Sequence, residues 1–152
     1  MKVSVLEQSV SVEGKPQQTT IQDSIDLAKK AEKLGYYRFW VSEHHNHPTI
    51  IGTAPEILMA AIACNTSSIR IGSAGIMLPH YSSLKVAEQF RVLEAIAPNR
   101  IDLGLGRAPG SDGRTALALN PNSRNDSEHF PSNVRDLMSW VSNEKLMEGH
   151  PF

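Results

Sequence analysis

The sequence predicts an α/β fold in which a parallel sheet is joined by crossover helices. Three observations predict it. Short β-prone runs begin near residues 3, 38, 69 and 101. The steps between them, roughly 35, 31 and 32 residues, are one strand–helix unit each. Each gap also holds a stretch with apolar residues at helical spacing.

The elements follow in order. Val3-Ser4-Val5-Leu6 reads as the first strand, ahead of a polar loop. Thr20 three residues before Asp23 resembles a capping box, and Ile21, Ile25, Ala28 and Ala31 continue it as a helix. Gly35 is the expected stop. Tyr37-Arg38-Phe39-Trp40-Val41 is aromatic and β-branched, the second strand. Thr53 is the expected cap of a second helix, with Pro55 in its first turn and its end near Asn65. That helix is apolar almost all round, which predicts burial on both sides and an inert, buried Cys64. Residues 69–78 form the third strand and its exit. Ser82 or Ser83 opens a third helix through Leu84, Ala87, Phe90 and Leu93, ended by Pro98-Asn99. Ile101-Asp102-Leu103-Gly104-Leu105 is the fourth strand. Residues 120–129 read as a polar loop, and Pro131 opens a last helix through Val134, Leu137, Met138 and Val141.

Composition narrows the function classes. Of 152 residues, 40% are hydrophobic and 20% charged, with a net charge of −1, the balance of a globular chain. Near-neutral charge gives no electrostatic reason to bind nucleic acid or a membrane surface. No apolar run approaches the ~18 residues of a membrane span. Glu7 and Gln8 interrupt any signal-peptide core at once, and one cysteine forms no internal disulfide, so the expected location is the cytoplasm.

The unusual chemistry lies in the loops after the strands, where α/β folds bind ligands. Glu43-His44-His45-Asn46-His47 follows the second strand. Its imidazoles read as a polar loop, as acid/base groups, or as metal ligands. Metal is the weakest of these, because adjacent His44 and His45 point apart in extended chain. Ser73-Ala74-Gly75 ends the third strand; its small side chains suit either a flat ligand or tight strand packing. Gly104-Leu105-Gly106-Arg107-Ala108-Pro109-Gly110-Ser111 follows the fourth. It is a glycine turn with an arginine suited to an anion, but neither a dinucleotide fingerprint nor a P-loop. The repeated units admit two architectures, a small doubly wound sheet or half of an eight-fold barrel, which needs about 200–250 residues when complete.

Several stretches together resemble the luciferase-like flavin monooxygenases, the bacterial luciferase superfamily, and within it the LLM-class flavin-dependent oxidoreductases. They are Phe39-Trp40-Val41-Ser42-Glu43-His44-His45-Asn46, Ala54-Pro55-Glu56, the run 71–79, Ala87-Glu88-Gln89-Phe90 and the run 98–112. Their order and spacing carry the resemblance, which covers residue 3 to about residue 141.

The resemblance implies a (β/α)8 TIM barrel, with residues 1–152 as its N-terminal half and only about the first four βα units present. It implies reduced FMN, with O₂, acting on an aldehyde-like small molecule. His44 matches the family's active-site histidine, with Glu43 and His45 orienting it. Ser73 and Ala74-Gly75 match the cofactor platform, including a non-prolyl cis peptide at Ala74–Gly75. Arg107 matches the phosphate-contacting arginine. The helices near 54–65 and 82–97 match the pair that forms a homodimer. The missing strands are expected to reflect a truncated gene, a split protein, or a half-barrel completed by a second copy. Two alternatives accompany the enzyme: a non-catalytic flavin-binding or structural half-barrel that dimerises, and an oxidoreductase using the deazaflavin F420.

Overall fold

The computed structural model describes residues 1–122, 126 and 128–150. In chain order it contains β1 (Ser4–Glu7), α1 (Gln17–Lys33), β2 (Arg38–Val41), α2 (Pro55–Asn65), β3 (Arg70–Ser73), β4 (Ile76–Met77) and α3 (Ser83–Ile96). These are followed by β5 (Ile101–Asp102), β6 (Leu105–Gly106), α4 (Gly113–Leu119) and α5 (Phe130–Ser142).

Strands β1, β2, β3 and β5 lie side by side in that order, all parallel. Each crossover therefore steps to the adjacent strand in one direction. One row across the sheet is Val5, Phe39, Ile71 and Ile101. This row joins a single core with Ala28 and Ala31 of α1, Met59 and Ile62 of α2, and Val86, Phe90 and Leu93 of α3. All three helices thus cover one face. A doubly wound sheet puts helices on both faces and a barrel on one only. The architecture is an arc of a (β/α)8 barrel.

The opposite row, Leu6, Trp40, Gly72 and Asp102, lies on the concave face. Leu6 is 58% exposed there. Asp102 ties the row together: it accepts from Arg38 Nε at 2.8 Å, Trp40 Nε1 at 3.2 Å and Arg70 Nε at 3.1 Å. Burial alone would raise its pKa; hydrogen bonds from Arg70, Trp40 and Arg38 lower it on balance. Trp40 lies so close over Gly72 that a Cβ there would meet the indole at 2.6 Å.

Several expectations are corrected. Thr20 is not a cap: α1 begins at Gln17 after Pro16, and Thr20 is buried inside it with its carbonyl accepting from Ser24. The polar first turn extends the helix beyond the apolar stripe that the pattern detects. Thr53 is exposed and α2 has Ala54 at its N-cap, with Pro55 first in the helix. Helix α2 is buried on one side only: Ile57 is 69% exposed and Cys64 is exposed. The third and fourth strands are each interrupted, so β4 and β6 form their own parallel pair. Helix α4 is not evident from periodicity; Asp112 caps it by accepting from the N–H groups of Arg114 and Thr115. Of the polar stretch 120–129, residues 123–125 and 127 lie outside the described residues, as do Pro151 and Phe152. Among the described residues, no helix is long and apolar enough to cross a membrane.

Candidate active site

The interruptions of the sheet lie at the carboxyl ends of the strands and shape the site. The Ala74–Gly75 peptide bond between β3 and β4 is cis. Pairing resumes beyond it, where Ile76 N donates to Gly104 O at 2.8 Å. Before it, Ala74 N donates to Val41 O at 2.8 Å. The Ser73 hydroxyl bridges the gap in the ladder, donating to Gly104 O at 2.8 Å and accepting from Gly104 N at 3.1 Å. A Cβ on Gly75 would lie 2.7 Å from the Leu105 carbonyl carbon. Close strand packing therefore accounts for this glycine by itself. Ser73 is fully buried, so it supports the turn from beneath.

Glu43, at the end of β2, is completely buried. Burial of a carboxyl group costs free energy unless donors surround it, and donors do. His45 Nε2 lies 2.6 Å from Oε1, and the Tyr81 hydroxyl donates to the same oxygen at 2.7 Å. Met77 N donates to Oε2 at 2.9 Å. The side chain thereby joins the loop after β2 to the far side of the cis peptide. Burial first, and then the hydrogen bond to Glu43, pushes the Tyr81 phenol well above its ordinary pKa, so it is a permanent donor.

The three histidines occupy different situations. His45 is 9% exposed, and its backbone N–H donates to Gly110 O at 3.1 Å. His44 donates its N–H to Gly52 O at 3.1 Å, while its Nδ1 is buried with no hydrogen-bond partner. His47 is exposed and turns inward on its own loop, where Nδ1 accepts from Thr49 N and Ile50 N, both at 3.3 Å. Among the described residues, no cluster of three or more His, Cys, Asp or Glu side chains is placed to hold a metal ion.

The loop after β6 closes over this group. Asn46 Nδ2 donates to Thr115 Oγ1 at 3.0 Å, and His80 Nε2 meets Pro109 O at 2.7 Å. Arg107 lies on the exposed part of the same loop. The fold thus gathers Glu43, His44, His45, Ser73, Ala74, Gly75 and Arg107 at one end of the sheet. Tyr81 and His80 join them unforeseen. No sequence signal marks Tyr81, because it lies 38 residues from Glu43. The small platform residues, the orphaned His44 nitrogen and an arginine beyond β6 fit a planar, anionic cofactor.

Comparisons with known proteins identify the family. A family model described as luciferase-like monooxygenase matches residues 1–127. A luciferase-like monooxygenase of Escherichia coli (strain K12) is 45% identical over 137 residues, 90% of this chain and 41% of that protein. The crystal structure of apo-MsnO8 superposes with a TM-score of 0.86 at 45% identity, covering 99% of this chain and 44% of that one. The oxygenating constituent of 3,6-diketocamphane monooxygenase from Pseudomonas putida, a type II Baeyer-Villiger monooxygenase in complex with FMN, superposes at 0.84 with 22% identity. It covers 100% of this chain and 42% of that one, and shows the shared fold. The chain spans less than half the length of these relatives. With the family's match running through every loop that builds the site, this chain belongs to the luciferase-like monooxygenases.

Proposed function

We propose that this chain is the N-terminal half of a flavin-dependent monooxygenase that uses reduced FMN and O₂ on a small, aldehyde-like organic molecule. The observation that carries the reading is the buried Nδ1 of His44, which has no hydrogen-bond partner, in the loop after β2. A buried polar atom without a partner is costly unless something else satisfies it. A ligand with a hydrogen-bonding edge is a fitting partner. Membership of the family and the likeness to apo-MsnO8 support the assignment.

Bound reduced flavin supplies the electrons and activates O₂; the protein supplies orientation, protons and exclusion of water. Ala74 and Gly75 hold the ring system, with Ser73 supporting their turn. Arg107 pairs with the phosphate, a geometry suited to a guanidinium. His44 gives or takes a proton through Nδ1. Glu43 and His45 fix the loop that carries it. The exposed apolar groove between α2 and α3, about 540 Å³ and lined by Ile57, Ala60, Val92 and Ile96, receives the same groove of a second copy.

The test is a titration of the chain with oxidised and reduced FMN, following flavin fluorescence and sedimentation together. Saturable, micromolar binding by a dimer is expected. Absence of binding overturns the reading. Preference for F420 over FMN would move it to the deazaflavin oxidoreductase. Binding without oxidation of an aldehyde, when reduced FMN and O₂ are supplied, would leave a non-catalytic half-barrel.

A further inference from the structure

The segment after β6 carries Arg107, and a short element elsewhere in the chain holds it in place. Leu78–His80 forms a single 3₁₀ turn directly after β4, with Leu78 and Pro79 buried. This turn grips the segment at two points. At the front, His80 Nε2 meets Pro109 O at 2.7 Å. At the back, Pro79 O accepts from Asn120 Nδ2 at 2.8 Å, at the end of α4. The loop after β2 holds the same segment from another side: His45 N donates to Gly110 O at 3.1 Å, and Asn46 Nδ2 to Thr115 Oγ1 at 3.0 Å.

Of these four bonds, the one at Pro109 is nearest Arg107 in the chain. Proline has no N–H, so its carbonyl is the only backbone hydrogen-bonding group at position 109. A carbonyl oxygen can only accept, so His80 carries a proton on Nε2 and donates it. Its Nδ1 is buried with no hydrogen-bond partner. Moving the proton from Nε2 to Nδ1 would lose the bond and leave a buried N–H unpaired, which fixes the tautomer. The ring is also set edge-on to His45 and Tyr81, with centroids at 5.7 and 6.3 Å. Gly110, the next residue, has a φ of +63°, and a Cβ there would lie 3.1 Å from Met77 Cγ and 3.2 Å from Glu43 O. The segment is thus pressed against the site just where His80 holds it.

We propose that His80 is a positioning residue: it latches the loop after β6 through the Pro109 carbonyl and so holds Arg107 for the phosphate of a bound flavin. The phosphate contact rests on the monooxygenase reading; the latch rests on the geometry alone. His80 acts through Pro109 and Arg107 and touches no reacting atom.

Two substitutions separate the latch from the bulk of the ring. His80→Phe keeps a planar ring and loses the N–H. His80→Gln places an amide N–H close to where Nε2 stands. Trypsin cleavage of the native chain at Arg107–Ala108, read by mass spectrometry, follows how often this loop opens. Cleavage about fivefold faster is expected in His80→Phe, the scale of one hydrogen bond, with wild-type rates in His80→Gln. Cleavage after Lys29 or Lys30, within α1, should not change. In titrations, His80→Phe should weaken FMN about fivefold and leave riboflavin unchanged. It should add no loss once Arg107 is replaced by alanine, and His80→Gln should restore FMN binding.

Unchanged cleavage at Arg107–Ala108 in His80→Phe overturns the latch, as does an equal rise within α1, the sign of general loosening. Equal losses for FMN and riboflavin, or a loss that persists beside Arg107→Ala, overturn its action through Arg107. Should His80→Phe fail to fold, NMR of the wild-type chain labelled at histidine nitrogen decides: a proton on Nε2 is expected, and one on Nδ1 alone overturns the latch. If the wild-type chain binds no FMN, the flavin reading fails, while the cleavage rates still decide the latch.

Discussion

The hydroxyl of Ser73 both donates to and accepts from the backbone of Gly104, at 2.8 and 3.1 Å. One side chain thus bridges the break in the sheet, beside the backbone bond from Ile76 N to the same carbonyl. This joins the third and fourth strands at the level where the candidate cofactor platform begins.

Ser73→Ala removes both bonds and leaves the Gly104 N–H without its partner, while the Gly104 carbonyl keeps the bond from Ile76 N, a loss of about 1–3 kcal/mol. Gly104→Ala drives a methyl into the Ser73 carbonyl oxygen, and overpacking of this kind costs about 1–3 kcal/mol. Urea denaturation of each variant measures the losses. Wild-type stability in either would show that the bridge is dispensable.

Glu32 provides a pH signature far from the site. Burial acts to raise its pKa, but the N–H groups of Ile69, Ser68 and Ser67 and the Ser68 hydroxyl outweigh it and bring the carboxyl down to about 2, from an ordinary 4.5. A depressed folded pKa contributes stability that is present above the unfolded value and lost as pH falls through the folded one. Thermal stability should therefore fall as pH drops from about 4.5 to 2. Glu32→Gln should lose about 1 kcal/mol at pH 7, after allowance for solvent screening, and flatten that part of the profile. An unaltered acid limb would remove this role.

Arg107 and His44 separate binding from chemistry. Arg107→Ala should weaken FMN about tenfold, the scale of a charged hydrogen bond, and leave riboflavin unaffected. Equal losses for both ligands would exclude a phosphate contact. His44→Ala should keep FMN within a few-fold and reduce turnover by about 10²–10⁴ in the completed enzyme, as loss of a proton-transfer group does.

The α2–α3 groove makes a prediction about assembly. Ile57 and Val92 are 69% and 60% exposed, in a groove whose apolar floor is rimmed by Glu56, Lys85, Glu88 and Gln89. Ile57→Glu together with Val92→Glu places like charges in a self-complementary contact. Sedimentation should then show a monomer with unchanged circular dichroism. A persisting dimer would place the interface elsewhere.

The succession of strands and helices was legible because the βα spacing repeats, and the parallel pairing because parallel strands need crossovers of that length. The site loops were legible because strand ends place ligand-binding residues, and the run 39–46 carries a chemically distinctive cluster. Helix caps at Thr20 and Thr53 misled, since capping patterns are short and recur inside helices. Periodicity alone could not see that α2 leaves Ile57 and Cys64 outside, because an all-apolar helix does not disclose which face has a neighbour.

Local composition and spacing thus determined the element order, the parallel sheet and the loops that hold Glu43, His44, Ala74-Gly75 and Arg107. Tertiary structure alone decided that α1, α2 and α3 cover one face, which makes the sheet an arc of a barrel. It also decided that Tyr81 reaches Glu43, that Ser73 bridges to Gly104, and that His44 and not His45 keeps an unpartnered nitrogen. Each of these depends on contacts between residues tens of positions apart, and such contacts leave no periodic trace in the chain.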